Sequence, residues 1–142
     1  MSRVIKTENV ATDRTRLMKA MAIAMRELIA RQGFDSQARD LAAFMVFALD
    51  GVTQSVERSV GPWEKRGYWV KADRFRMDWA WTEPTAKKLR QALIADDMGG
   101  IAEGIASLAQ RLQDIEVPAK HRLGTPWVGA WEKLNAAKSP GG

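Results

Sequence analysis

Residues 62–83 read PWEKRGYWVKADRFRMDWAWTE and hold four of the six tryptophans, the only tyrosine and a dense mixture of Arg, Lys, Asp and Glu. Proline is comfortable at a first helical position, so Gly61-Pro62 is expected to close one helix and open the next. At about 100° per residue, Tyr68, Ala72, Phe75 and Trp79 fall within about 60° of one another, which makes them the expected core face. Trp63, Val70, Met77 and Trp81 fall together on nearly the opposite side, bordered by Arg66 and Arg74. Glu64, Lys71 and Asp78 occupy one flank, and Lys65, Asp73 and Arg76 the other. The stretch therefore predicts a helix with two apolar faces separated by charge.

Downstream, Pro84 interrupts the pattern, with Thr82 offered as an N-cap just before it. Ala86, Leu89 and Leu93 resume a helical period, so 84–97 reads as a continuation of the third helix beyond a kink or break near Pro84. Met98-Gly99-Gly100 is the clearest helix terminator. Ile101, Ile105, Leu108, Leu112 and Ile115 then form one stripe of a fourth helix, which ends before Pro118. In the tail, Trp127 and Trp131 stand at i, i+4, consistent with a short helix from Pro126, and the final SPGG is expected to be disordered.

Upstream, residues 1–11 show no period and read as a loose arm. Thr12 or Asp13 offers an N-cap, and Leu17, Met21, Ala24 and Leu28 mark a first helix at 13–31, stopped by Gly33. Asp35 or Ser36 caps a second helix, whose stripe is Leu41, Met45, Ala48, Val52 and Val56. Phe44, Val46, Phe47 and Leu49 fill most of the remaining circumference, the mark of a central helix. Gly51 costs about 1 kcal/mol inside a helix, a cost that a close helix crossing would explain.

No strand-like alternation exceeds four residues. The predicted fold is all-α: an antiparallel bundle of four main helices, the third long and kinked or broken near Pro84, with a C-terminal tail packed on it. At 142 residues the chain is expected to form a single domain, with the arm at 1–11, the bundle at 13–118 and the tail at 119–142. Hydrophobic residues make up 46% and charged residues 27%, a balance that can support a core rather than disorder.

The absence of cysteine removes disulfides, thiolate metal sites and cysteine nucleophiles. The one histidine, His121, lies in a basic loop with no E-x-x-H partner. Asp50 and Glu57 share a helix face, and such carboxylates usually pair with arginine on the next helix or face water. No G-x-S-x-G, P-loop or G-x-G-x-x-G occurs, so no catalytic residue, metal or cofactor is predicted. No apolar run reaches the roughly 18 residues of a membrane span, and the chain reads as cytoplasmic.

The net charge of +5 is uneven: residues 62–91 hold eight basic and four acidic side chains. Two functional readings follow. The first is a non-enzymatic protein that associates, as a homodimer or with a protein partner, through Trp63, Arg66, Val70, Arg74, Met77 and Trp81, since Trp, Arg and Met are enriched at interfaces. The same face could instead lie under the tail, against Trp127 and Trp131. The second is binding of RNA or single-stranded DNA by the basic, tryptophan-rich segment, with Lys71, Arg76, Lys87 and Lys88 as contacts.

Overall fold

The computed structural model describes residues 7–137, and every regular element among them is a helix. Helix α1 spans Thr7–Ala30, α2 Ser36–Lys65, α3 Trp69–Trp79, α4 Thr82–Ile94, α5 Met98–Leu112 and α6 Ala130–Ala136. The all-α expectation holds. The expected long third helix is instead the end of α2 plus two separate helices, and the tail contributes α6.

Helix α2 is the axis of the fold. Its 30 residues extend about 45 Å at about 1.5 Å per residue, and α1, α3, α4 and α6 all pack on it. One side of α2 (Leu41, Met45, Leu49 and Val52) joins Met21, Ala24 and Met25 of α1 with Leu108 and Leu112 of α5. Another side (Ala42, Ala43 and Val46) joins Leu89 and Leu93 of α4 with Ile101 and Leu134. This is why the middle of α2 is apolar nearly all round. Gly51 faces Leu17 of α1: a Cβ there would lie 2.9 Å from Leu17 Cδ1.

The boundaries show which local signals won. Asp35 caps α2, its Oδ1 accepting the Ala38 N–H at 2.9 Å, as the sequence suggested. Helix α1 begins earlier than expected: residues 7–11 are helical rather than a loose arm, while 1–6 and the terminal SPGG lie outside the described residues. Helix α2 runs through Pro62 to Lys65. A proline so near a C-terminus deprives only the Arg58 carbonyl of its helical donor, and both residues are exposed. The turn comes instead at Gly67, whose φ of 83° requires the left-handed conformation.

The second break, at Ala80-Trp81, precedes Pro84, which lies in the first turn of α4, where a missing N–H costs little. Thr82 is buried there; its hydroxyl donates to the Trp79 carbonyl at 2.9 Å and lies 2.8 Å from the Thr53 hydroxyl of α2. Gly99 and Gly100 do not end a helix. They form the first turn of α5, whose cap is Asp97, with Oδ1 3.0 Å from the Gly100 N–H. A Cβ on Gly100 would meet Asp97 Oδ2 at 2.6 Å and Ala92 Cβ at 3.0 Å, so glycine allows both the cap and the close α4–α5 approach.

The tail is strapped to the bundle at several points. Arg26 Nη1 donates to the Pro118 carbonyl at 3.0 Å, and Trp127 meets Phe44 edge-on at 6.2 Å. Trp127 lies before α6 rather than within it, since Gly129, at φ 85°, starts the helix afresh. Asp40 of α2 fixes that start by accepting the N–H groups of Gly129 at 3.1 Å and Trp131 at 2.9 Å.

Candidate functional site

Because α2 extends to Lys65 and turns at Gly67, the residues of the quoted stretch do not share one wheel. Trp63 belongs to α2, and its ring packs edge-on against Phe75 at 5.2 Å, so it covers the inner side of α3 rather than the outer. Trp81 lies in the α3–α4 junction, with its ring stacked near Trp79 at 6.3 Å and the Arg111 guanidinium 4.9 Å from its centroid. Two tryptophans expected on opposite faces are thus neighbours on the same core cluster. Both Trp63 and Trp81 are half-buried packing residues.

The other four predicted contact residues stay on the surface. Arg66 caps the end of α2, and Val70, Arg74 and Met77 occupy the outer side of α3, opposite buried Ala72. Val70 is 68% exposed and Met77 75%. Tyr68 was expected in the core, yet it stands before the first residue of α3 and is 51% exposed; Trp69 beside it is 59% exposed. The glycine preceding them was the signal for this turn, and the uninterrupted wheel overrode it. Among the described residues the tail tryptophans lie elsewhere: Trp127 meets Phe44, and Trp131 takes the Arg39 guanidinium at 5.4 Å.

Charge sorts the remaining candidates. Arg76 is held at 3.0 Å from each oxygen of Glu57 and 2.6 Å from Glu64 Oε2, so it is not free to contact phosphate. These bonds, first to Glu57 and then to Glu64, raise the Arg76 pKa, and the Arg76 bond holds Glu64 below the ordinary glutamate range. Lys71 Nζ lies 4.2 Å from the Trp63 ring centroid. Lys87 and Lys88 are exposed on α4, lining different hollows, Lys87 with Asp50 and Glu83, Lys88 with Asp97 and Glu103. They do not join Lys71 in one groove.

Asp50 pairs with Arg90 at 2.6 Å, and Glu57 with Arg76, the arginine pairing expected of both carboxylates. Among the described residues no group of three His, Asp or Glu side chains could hold a metal ion. No described helix is long and apolar enough to cross a membrane.

What converges is an exposed patch. Tyr68, Trp69, Val70 and Met77 offer apolar and aromatic area. Lys65, Arg66, Lys71 and Arg74 are exposed in the same stretch of chain and form no ion pair among the described residues. Asp73 and Asp78 offset part of that charge. No protein-family model matches the chain, and neither does any curated protein or solved structure.

Proposed function

We propose that the chain is a non-enzymatic association protein that holds an acidic protein partner against the outer face of α3. In this reading α1, α2, α4 and α5 serve as an antiparallel four-helix frame, and α3 is the element it presents. One observation carries the proposal: Tyr68, Trp69, Val70 and Met77 are each more than half exposed on one short helix and its leading turn. Trp, Tyr, Met and Arg are the side chains that interfaces favour, and an apolar centre within a charged rim is their usual arrangement.

The rim selects between a second copy and a different protein. A two-fold interface brings the same patch of both copies together. Here it would crowd Arg66, Lys71 and Arg74 of both copies into one interface, where like charges oppose association and Asp73 and Asp78 offset only part of the excess. A partner with carboxylates around an apolar centre avoids that cost.

A photo-crosslinking amino acid placed at Trp69 or Met77, compared with one at Lys120, tests the reading in cells. A protein captured at both α3 positions, absent at 120, and lost on Arg66→Glu plus Arg74→Glu supports it. Equal capture at all three positions overturns it. Sedimentation of the purified chain supplies the second arm. A dimer abolished by Met77→Glu would replace the acidic partner with self-association.

Single-stranded nucleic acid is the second reading, favoured by exposed Trp69 near four cations that form no ion pair among the described residues. It requires quenching of tryptophan fluorescence by an oligonucleotide, with affinity falling steeply as salt rises. No quenching at low salt eliminates it.

A further inference from the structure

Arg14 of α1 is a cation placed where a cation is expensive. It is only 8% exposed. Its Nη1 donates to Ser55 Oγ and Ser59 Oγ of α2, each at 3.1 Å. The Ser55 hydroxyl donates in turn to the Val52 carbonyl at 2.7 Å. The guanidinium carbon lies 4.7 Å from the Phe75 centroid and 5.6 Å from that of Trp79. Hydroxyl oxygens and aromatic faces offset part of the desolvation of a buried cation, but neither supplies an opposite charge.

No carboxylate pairs with Arg14 among the described residues. The charge it does feel is of its own sign: burial, and then Arg58, lower its pKa. Arg58 is itself only loosely engaged, 4.0 Å from Asp13.

One edge of the guanidinium remains. Nε and Nη2 donate to no protein group among the described residues, yet no side-chain nitrogen there is sealed from solvent without a partner. That edge therefore reaches solvent. Its two parallel N–H bonds match the oxygen spacing of a carboxylate or phosphate, the bidentate geometry that distinguishes arginine from lysine. Holding α3 to the bundle uses Nη1 and the two ring faces, and leaves this edge without a structural task.

We propose that Arg14 is the base of an oxyanion-binding site, its Nε–Nη2 edge taking a carboxylate or phosphate group of a small ligand, with Arg58 supplying the second positive charge. Phe75 and Trp79 hold the fork in place, so the site is rigid before the anion arrives. It stands apart from the outer face of α3 and does not depend on what binds there.

Nuclear magnetic resonance reads the site directly through the Arg14 Nε–H signal. Inorganic phosphate and succinate are titrated separately at constant ionic strength, with chloride as the balancing salt. The expected result is a saturable shift of that signal by at least one of the two. Arg58→Gln should weaken the saturating anion by about tenfold or more, the loss expected for one charge-assisted contact. Arg14→Lys keeps the charge but not the fork and should abolish saturation; Arg58→Gln, a surface change, keeps the test decisive if Arg14→Lys does not fold. A linear response to both anions, or a saturable one that Arg58→Gln leaves unchanged, overturns the proposal.

Discussion

Arg76 of α3 grips both oxygens of Glu57 on α2, with Nε and Nη2 each 3.0 Å from its oxygen, and so ties the outlying helix to the axis of the bundle. Among the described residues the other polar and ring contacts here are Arg76 to Glu64, Lys71 over Trp63 and the Trp63–Phe75 edge contact with α2, and the Arg14 stack with α1. Glu57→Gln or Arg76→Ala should therefore speed amide exchange across 69–79. Protection in α1, α2 and α5 should stay unchanged. Uniform loss across all helices would show that α3 does not open separately.

Acid should act at the same place. Arg76 holds the Glu64 pKa below the ordinary glutamate value, so the folded state binds its proton less readily than the unfolded one. The stabilisation is then complete above the unfolded-state pKa, about 4.3, and is lost as pH falls through the lower folded value. Protection in α3, taken relative to the intrinsic exchange rate at each pH, should be flat from pH 7 to about 5 and fall below about 4, and Glu64→Gln should remove part of that fall. An identical acid limb in Glu64→Gln would contradict the assignment.

Thr82 is the hinge pin between α3 and α4. It is buried, with its hydroxyl shared between the Trp79 carbonyl and Thr53. Thr82→Val keeps the shape and removes that hydroxyl, and should cost about 1–2 kcal/mol in denaturant unfolding. Thr82→Ser should recover most of the loss. If Val and Ser behave alike, packing rather than the hydroxyl matters.

Gly51 separates two opposing effects. Alanine there gains up to about 1 kcal/mol of helix propensity. Its Cβ would displace Leu17 Cδ1, the free end of a flexible and only partly buried side chain. Gly51→Ala should therefore stay within about 1 kcal/mol of wild type. Gly51→Leu, too large for a side-chain shift, should destabilise by about 1–3 kcal/mol. Thermal melts of the two variants measure the difference.

Asp40 caps a helix 89 residues further along the chain, counted to Gly129. Asp40→Ala should cost about 1 kcal/mol and expose the Gly129 and Trp131 amides to exchange. Asp40→Asn should retain part of the cap. Unchanged exchange at both amides would mean that Trp127 and Leu134 alone seat α6.

Periodicity made α1, α2 and α5 legible, because each buries a continuous stripe: Met21 with Ala24, Leu41 with Met45 and Leu49, Ile101 with Leu108. The Asp35 cap was equally plain. Breaks were harder to read. Pro62 and Gly99-Gly100 carry strong average preferences, but position within the helix decides their effect: Pro62 falls in a last turn, Gly100 in a first turn beside Asp97. Gly67 and Ala80-Trp81 made the real breaks, and together they re-sorted Trp63, Tyr68 and Trp81, while Phe75 and Trp79 kept the inward side. Val70, Arg74 and Met77 kept the outer side they were expected to occupy, because their spacing lies within α3. Trp63 and Trp81 lost it because each lies outside α3. Arg14 left no signal in the sequence, since its burial depends on Ser55 and Ser59, 41 and 45 residues away on a second helix.

Helix α3 sends mainly Ala72, Phe75 and Trp79 inward, and the two core clusters on α2 are built almost wholly from the other helices. A substitution at Val70, Arg74 or Met77 thus has little folding free energy to disturb, roughly within 0.5 kcal/mol for an exposed position. Over evolutionary time such a surface can be rewritten residue by residue while the bundle is inherited intact. Divergence among descendants of this chain should concentrate on one side of eleven residues.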